Sequence, residues 1–309
     1  MILTTVVMPV LALVLIFLFS IQKFSNQIRK IAGEKFKGYL NAFTETPIKG
    51  FLAGTFFTAL VQSSTATTVL VVSLVNAGVL TFYKALGVIF GANLGTSLIT
   101  QLVAFNVANI APYFIVLGFL VGYLGRGYKH WGKPIFYFGM VFLSLSLITS
   151  YVEPLRTNPE VLVFFANITN IYWAIIVGTI FTIIVQASTV TSGMTVLLAA
   201  SGLLSMEQAV GLILGANLGT TVTALVASIG MNNAAYKAAL AHFLFNLIGT
   251  IILLPFVVPF SALIGSLGGS LEHQVANIHL IFNFLMAVTF LIFISPFEKL
   301  VNKIAGSQS

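Results

Sequence analysis

Long apolar runs separated by short polar segments make up the chain. The first run extends from Ile2 to Ile21 and is followed by Lys23 rather than by small residues at a cleavage site, so we expect a retained helix and not a signal peptide. At about 20 residues per spanning helix, the chain has room for roughly eight to ten passes. The pattern predicts an all-α polytopic membrane protein.

Two of the apolar stretches are about 30 residues long and carry a polar cluster near their midpoints. Each stretch predicts a helical hairpin that dips into the membrane and returns to the side from which it came. The hairpins are expected at residues 48–77 and 171–200, and the remaining spans at 84–104, 110–124, 135–150, 209–228, 239–262 and 275–294.

The composition supports a membrane protein. Of the 309 side chains, 58% are hydrophobic and 7% are charged, whereas a soluble globular protein carries about 25% charged residues. The net charge of +7 does not indicate nucleic-acid binding, because Lys and Arg cluster in short loops, where they orient a membrane protein. The absence of Cys excludes disulfides and thiolate metal sites. We expect a multi-pass protein of the cell membrane, in contact with the lipid bilayer.

An internal repeat organises the chain. The 35 residues from Gln62 to Thr96 align without gaps with those from Gln186 to Thr220, at an offset of 124 residues, and 17 positions are identical. A shared Leu, Val and Gly composition does not explain the match, since Gln, Ser, Thr and Asn coincide as well. We therefore predict a duplication within a single transport domain at residues 1–309, with repeats at about 40–150 and 165–295.

The basic residues indicate how the two repeats are oriented. Three basic clusters, at 23–49, 126–133 and 299–303, lie on one face if the second repeat enters the membrane from the side opposite to the first. The excess of Lys and Arg in cytoplasmic loops favours this arrangement and assigns that face to the cytoplasm. The predicted fold is two inverted-topology repeats, each with a re-entrant helical hairpin and a broken transmembrane helix, as in many secondary transporters.

The polar cluster at each hairpin tip is the first candidate binding site. The members of the two clusters are Gln62, Ser63, Ser64 and Thr65 in the first copy and Gln186, Ser188 and Thr189 in the second. A helix that begins at each tip presents free N–H groups and a partial positive charge, which favour an anion. Inverted copies would direct two such helix starts toward each other.

A second motif, Gly-Ala-Asn-Leu-Gly-Thr, follows each tip by about 30 residues. Its two glycines loosen a spanning helix and allow a neighbouring backbone to approach closely. The candidate oxygen donors of the motif and the residue after it are Asn93, Thr96, Ser97, Asn217, Thr220 and Thr221. The alternative for this motif is small-residue helix packing with hydrogen bonds between helices.

The two candidate segments contain almost no formal charge. Between residues 50 and 125 the only charged side chain is Lys84, and between 161 and 230 it is Glu207. Neutral oxygen atoms suit a weakly held hard cation such as Na⁺. An anion buried beside them would lack a counter-charge unless cations bind with it. This composition favours cation-coupled anion symport.

The paired motifs resemble those of the type II sodium-dependent inorganic phosphate cotransporters. In that family each inverted half carries a Gln-Ser-Ser-Ser type motif, and the two motifs form the shared sodium and phosphate site. The resemblance implies this role for both clusters, with Thr65 and Thr189 standing where the family often has Ser. Ala187 departs from the family's pattern because it lacks a hydroxyl. Bacterial relatives often append a soluble helical domain, which is not expected in this chain.

Two further polar pairs lie downstream of the second copy. His242 and Asn246 are four residues apart and share a helix face, and so do His279 and Asn283. We expect these pairs to support the site by hydrogen bonding between helices, and a proton-linked role is the alternative. No transition-metal site is expected, since neither Cys nor Asp is available to complete one.

The predicted function is sodium-coupled symport of inorganic phosphate into the cell, with Na⁺ as coupling ion, no cofactor and no enzymatic activity. The alternatives are a symporter of another oxyanion such as sulfate, or an ion channel that uses the hairpins as a filter. A hydrolase using Ser64 or Ser188 with a histidine is disfavoured, because a nucleophile needs one activated copy whereas a two-fold transport site uses both.

Overall fold

The computed structural model describes residues 8–32, 44–104, 111–124, 129–152 and 170–306. Helices account for all the regular structure in these ranges, and no strand occurs in them. The prediction of an all-α protein is confirmed. The boundary expected between the repeats, near residues 150–165, lies mostly outside the described residues.

The helices are named here in chain order. They are α1 (Met8–Ala32), α2 (Pro47–Val61), α3 (Ser64–Asn76), α4 (Phe82–Ala104), α5 (Ala111–Leu124), α6 (Lys129–Val152), α7 (Ile171–Val185), α8 (Ser188–Ala200), α9 (Met206–Ala227), α10 (Asn233–Leu253), α11 (Val257–Ser266), α12 (Leu271–Ile292) and α13 (Ile294–Ala305).

In the described part of the chain, five helical segments are long and apolar enough to cross a membrane. These are α4, residues 129–148 of α6, α9, the stretch from α10 through α11, and α12. Six other apolar helical segments have 10–17 residues. Large apolar side chains cover the outside of the short helices, as shown by Tyr123 at 73% and Ile184 at 74% exposure. A surface of this composition suits lipid, and the chain is an integral membrane protein.

Each predicted hairpin consists of two helices joined by a two-residue break. After α2 ends at Val61, Gln62 takes a left-handed backbone conformation with a φ of 56°. Its N–H still donates to the carbonyl oxygen of Thr58 at 2.7 Å. Gln186 has the same φ and donates to Thr182 at the same distance. Because this conformation costs a non-glycine residue about 1–2 kcal/mol, the surrounding structure must hold both breaks in place.

Glycines bring the long helices into backbone contact with the first arm of each hairpin. A Cβ atom at Gly91 of α4 would overlap the carbonyl oxygen of Phe51 in α2, and one at Gly215 of α9 would overlap that of Ile175 in α7. Both long helices continue unbroken through the second motif. The broken transmembrane helix predicted for each repeat is therefore not found at this motif, because its glycines allow close helix packing without interrupting the helix.

An apolar span is interrupted instead between α10 and α11. Leu254–Phe256 form a turn of 3₁₀ helix that contains Pro255, which has no N–H to donate. The span expected at 239–262 is thereby divided into two helices.

The centre of the fold is α4, most of whose residues are buried. It packs against α2, α3, α8, α10 and α12. Phe90 of α4 stacks on Phe245 of α10 with ring centroids 4.9 Å apart, and Phe290 and Phe297 complete the aromatic cluster. Phe297 belongs to α13, whose buried apolar face therefore attaches the end of the described chain to this core.

α1 lies beside the first hairpin and packs on α6 and α2. The rings of Phe24 in α1 and Phe138 in α6 have centroids 5.8 Å apart. α6 pairs in turn with α5 through two glycines, since a Cβ atom at Gly118 or at Gly132 would overlap the backbone of the other helix. These contacts bring the second half of α1 next to the break of the first hairpin.

Substitutions at the close helix contacts should lower stability. Gly54→Ala places a Cβ atom against the Val88 carbonyl of α4, and Gly178→Ala places one against the Leu212 carbonyl of α9. We expect each change to reduce the free energy of unfolding by about 1–3 kcal/mol, as overpacking does in protein cores. The measurement is the apparent Tm of the purified protein in detergent.

Gly193→Ala in α8 is the matched control. Only two side-chain atoms, both at 3.9 Å, lie within 4 Å of an added Cβ atom there. This change should leave stability unchanged or raise it by up to about 1 kcal/mol, since Ala favours a helix over Gly. An equal decrease in the Tm of all three variants would contradict the close-packing account.

Candidate functional site

The breaks of the two hairpins meet at one pocket of about 80 Å³, which is enough for several water molecules. Its lining consists of the two polar clusters, Ala187 and two residues of α1: Ile21, Gln22, Gln62, Ser63, Ser64, Thr65, Gln186, Ala187, Ser188 and Thr189. The fold thus brings all seven residues of the predicted tip clusters together across 124 residues of sequence. None of the lining side chains carries a formal charge.

Two helix N-termini lie at this pocket. α3 begins after Ser63, whose hydroxyl accepts a hydrogen bond from the N–H of Ala66 at 3.1 Å. α8 begins after Ala187, which has almost the same backbone angles, with φ −147° and ψ 99° against −152° and 100°, but no capping side chain. Both helix starts offer backbone N–H groups and the positive end of a helix dipole. This arrangement attracts an anion without a basic side chain.

Behind each break, a hydrogen bond between two threonines ties the arms of the hairpin together. The hydroxyl of Thr58 donates to that of Thr67 at 2.8 Å in the first hairpin. The hydroxyls of Thr182 and Thr191 are 2.6 Å apart in the second. All four side chains are buried. Each bond crosses its break, so it helps to hold the left-handed glutamine and the following helix start in position.

Thr68 and Ser192 are buried hydroxyl groups that find no hydrogen-bond partner among the described residues. They occupy equivalent positions in the two copies, in the second turn of α3 and of α8. A buried hydroxyl without a hydrogen bond costs about 1–3 kcal/mol, and such a group usually indicates an unrecorded partner or a functional role. Their oxygen atoms are of the kind that binds a hard cation.

The six donors of the second motif lie on α4 and α9 and do not line the pocket. All six are buried. Five of them donate to carbonyl oxygens of their own helix, namely Asn93, Thr96, Ser97, Thr220 and Thr221. These five bonds lie within one helix, so they are not the hydrogen bonds between helices that the packing alternative expects, and a part in ion binding stays a prediction.

Asn217, the sixth donor, belongs to a buried network that joins three helices. Its amide nitrogen donates to the Asn283 side chain of α12 at 3.1 Å, and its amide oxygen is 3.3 Å from Nε2 of His279. Nδ1 of His279 is 2.9 Å from the hydroxyl of Thr100 in α4. Hydrogen bonding between helices is therefore observed for His279 and Asn283.

His242 and Asn246 of α10 are buried but do not join that network. The Asn246 amide donates to the His242 carbonyl oxygen of the same helix at 3.0 Å. Both ring nitrogens of His242 lack a partner within the described ranges, so the bonding between helices expected for this pair is not observed there. No group of three or more His, Cys, Asp or Glu side chains that could hold a metal ion occurs in the described part of the chain.

Several residues at the site are not predicted by the sequence pattern. Ile21 and Gln22 precede the first repeat, so a comparison of the two copies cannot reveal them, although an amide at the end of an apolar run is a signal for Gln22. Thr68 and Ser192 do match between the copies as hydroxyl residues, but their identity differs. Comparing side-chain chemistry rather than residue identity would find this pair.

Comparisons with known proteins agree with the geometry. The family described as "Na+/Pi-cotransporter" matches residues 16–150 and 160–267. The chain is 30% identical over 271 residues to "Uncharacterized protein YqeW" of Bacillus subtilis, which covers 86% of this chain and 87% of that protein. No solved structure matches the chain.

Two relatives have names that refer to phosphate. Identity is 34% over 234 residues with "Putative inorganic phosphate export protein YjbB" of Escherichia coli, covering 74% of this chain and 43% of that protein. It is 44% over 97 residues with "Sodium-dependent phosphate transport protein 2B" of Bos taurus, covering 30% of this chain and 14% of that protein. The chain thus spans less than half the length of these two relatives.

The family match includes both polar clusters and both copies of the second motif. It confirms the resemblance that those motifs indicate, and it is a match to transporters rather than to enzymes. On this evidence the chain belongs to the Na⁺/Pi-cotransporter family.

Proposed function

We propose that the chain is a secondary active transporter that couples the movement of Na⁺ to that of inorganic phosphate, with both bound between the two hairpin tips. The pocket carries this proposal. Two helix N-termini and seven uncharged polar side chains from equivalent segments meet there, in an otherwise apolar protein. The family match supports phosphate as the substrate.

The electrostatics of the pocket favour an anion that binds together with cations. The starts of α3 and α8 contribute partial positive charges, but no lining side chain is basic. The free energy needed to bury an unpaired phosphate is far larger than the stabilisation that these helix dipoles provide. Sodium ions bound in the same region supply the missing charge, so each ligand raises the affinity for the other. This mutual dependence is the basis of coupled transport.

Neutral oxygen atoms near the pocket provide the proposed ligands for Na⁺. The tip side chains line the pocket directly, and the unpartnered hydroxyls of Thr68 and Ser192 lie one turn further along α3 and α8. A bound cation would give these two groups the partner that they lack. We assign the residues of the second motif, and the network of Asn217, His279 and Asn283, to the support of this arrangement.

Re-entry of the hairpins and inversion of the repeats belong to the proposal. α2 has 15 residues and α3 has 13, so at 1.5 Å per residue they extend about 22 and 20 Å, less than the ~30 Å hydrocarbon core. α7 and α8 have the same lengths. Arms this short place each break inside the membrane. Two such hairpins that enter from opposite sides and meet at their breaks also explain the positions of the basic clusters.

An inward Na⁺ gradient drives uptake by such a symporter, and uptake across the cell membrane is the direction that we propose. Export is the second candidate, because the name of the Escherichia coli relative refers to export of inorganic phosphate. The two candidates differ in the gradient that drives transport and not in the residues that bind the substrate. Both require the pocket to open to each side of the membrane in turn.

Phosphate flux in liposomes tests the coupling to Na⁺. Protein-containing liposomes should accumulate labelled phosphate above its equilibrium level when external Na⁺ is high, and a reversed Na⁺ gradient should drive phosphate out. Protein-free liposomes are the control. A channel would only dissipate the phosphate gradient, so accumulation distinguishes the two. Accumulation that persists after K⁺ replaces Na⁺ would contradict coupling, and accumulation of sulfate instead would identify another oxyanion.

Ser188→Ala removes one hydroxyl from the pocket and should weaken Na⁺ binding. The loss of one neutral ligand from a buried ion costs about 1–3 kcal/mol, so the half-saturating Na⁺ concentration should rise about 5- to 150-fold. The phosphate affinity should fall with it because the coupling is reciprocal. Ser73→Ala is the matched control, since that hydroxyl donates to the Val69 carbonyl oxygen within α3 and does not line the pocket.

Ala187→Ser adds a hydroxyl at the neighbouring position, where the first copy has Ser63. The backbone at this position matches that of Ser63, so the new hydroxyl should cap α8 and raise stability by about 0.5–2 kcal/mol. The Na⁺ dependence should change little, because the native pocket functions without this hydroxyl.

Unchanged Na⁺ and phosphate dependence in Ser188→Ala would show that the second cluster serves packing and would refute its assignment to the site.

Labelling of single cysteines tests the inversion. Thr46 and Asn170 are exposed, occupy equivalent positions and are the N-caps of α2 and α7. The chain has no native Cys, so Thr46→Cys and Asn170→Cys each introduce one reactive thiol. An impermeant reagent added outside oriented vesicles should label one variant, and the other should react only after permeabilisation. Labelling of both from the same side would refute the antiparallel arrangement.

A further inference from the structure

A second, larger pocket of about 600 Å³ lies where α1, α5 and α6 come together. Its lining combines basic and amide side chains with two apolar residues: Gln27, Lys30, Ile31, Gly122, Lys129, His130 and Lys133. It shares no lining residue with the pocket at the hairpin breaks. Nothing in the proposed transport of phosphate requires it.

The lysines of this pocket are positive charges without a described counter-charge. Lys30, Lys129 and Lys133 are exposed, and Lys129 and Lys133 lie one turn apart on α6. The ion pair found within the described ranges, between Lys49 and Glu45, is formed elsewhere. Three lysines that converge on one cavity without a described carboxylate create a local site for a multivalent or phosphate-bearing anion.

An apolar groove continues from the basic pocket between α5 and α6. Its volume is about 330 Å³, and it is lined by Gly118, Phe119, Gly122, Tyr123, Gly132, Lys133, Phe136 and Tyr137. Gly122 and Lys133 line both cavities. Gly118 and Gly132 bring the backbones of α5 and α6 together at the floor of the groove. Gly122 keeps the groove open, because no side chain occupies the space beside it. The aromatic rings of Phe119 and Tyr123 form one outer edge.

We propose that these two cavities together bind one anionic phospholipid, with its phosphodiester headgroup among the lysines and an acyl chain in the groove. A free phosphate ion can occupy the basic pocket but makes no contact with the apolar groove. An anionic lipid can fill both, with its headgroup in the pocket and an acyl chain in the groove. In the topology proposed above, on which this step rests, the pocket lies at the cytoplasmic end of the helices and faces the leaflet in which anionic lipids attract Lys and Arg.

Such a lipid would hold α1 against α6. Lys30 belongs to α1 and the other two lysines to α6, so one bound headgroup links the two helices. Two turns before Gln27, α1 contributes Ile21 and Gln22 to the pocket at the hairpin breaks. Among the described helices outside the hairpins, α1 is the one that lines the candidate transport site, so a lipid bound here would hold that helix.

Fluorescence of Trp131 provides a direct test. This exposed tryptophan lies between Lys129 and Lys133 in the sequence of α6, and the chain has one other, Trp173. In a Trp173→Phe background, phosphatidylglycerol with brominated acyl chains should quench Trp131 at a lower mole fraction than brominated phosphatidylcholine does. Equal quenching by the two lipids would overturn the proposal.

Lysine substitutions test whether the preference for phosphatidylglycerol over phosphatidylcholine arises at this pocket. At roughly a fivefold contribution per lysine, Lys129→Gln/Lys133→Gln should weaken the preference for phosphatidylglycerol about 30-fold. Lys299→Gln/Lys303→Gln on α13 is the matched control, because it removes the same charge from another exposed basic segment. Lys30→Gln/Lys133→Gln is a second pocket variant in case the first fails to fold. A preference that survives both pocket variants, or that the control also removes, would overturn the assignment.

Two further experiments distinguish binding of a lipid from binding of a soluble anion. Gly122→Leu should fill the groove, because an added Cβ atom meets only Gly132 Cα at 3.8 Å, and it should lower quenching by phosphatidylglycerol while the lysines remain. Saturating inorganic phosphate should leave the quenching unchanged. If inorganic phosphate abolishes the preference, or if Gly122→Leu has no effect, the pocket takes soluble anions and the lipid assignment is wrong.

Discussion

Backbone N–H and C=O groups in an apolar environment have almost no partner other than each other, and the rest of this structure depends on that constraint. It makes every described element helical, and it confines any break in a helix to a place where protein groups satisfy the freed atoms. The two hairpins meet this condition. Each left-handed glutamine keeps its own hydrogen bond to the preceding turn, and a threonine pair closes the hairpin behind it. Breaks protected in this way expose backbone groups for binding without leaving them unsatisfied.

The glycines of the long helices hold the first arm of each hairpin against the core. α4 and α9 each carry glycines that admit the backbone of a hairpin arm, and they do so at equivalent positions of the two copies. Their polar residues bond within the helix or to α12, so these helices form a rigid support behind the pocket. The second motif therefore has a structural role, because its glycines admit the backbone of a hairpin arm.

The two halves are similar but not identical, and the differences include residues that line the pocket. Ser63 caps its helix with a hydroxyl where Ala187 cannot, although the backbone is almost the same. α1 contributes Gln22 to the pocket, and the network of Thr100, Asn217 and His279 joins α4, α9 and α12. A pocket with such differences presents non-equivalent groups on its two sides.

Much of this protein is determined by the sequence alone, because hydrophobic run length, repeat spacing and motif chemistry are local properties. They predict the helical class, the two hairpins and the seven polar residues at the tips, and they indicate the family. The tertiary structure decided what depends on packing between distant segments. It showed that the two tips meet, that α1 completes the pocket, that α4 and α9 stay unbroken, and that Asn93 bonds to its own helix while Asn217 bonds to another. Identical motif residues thus acquire different partners, since the partners of Asn217 come from α12, outside the 35 aligned residues of its copy.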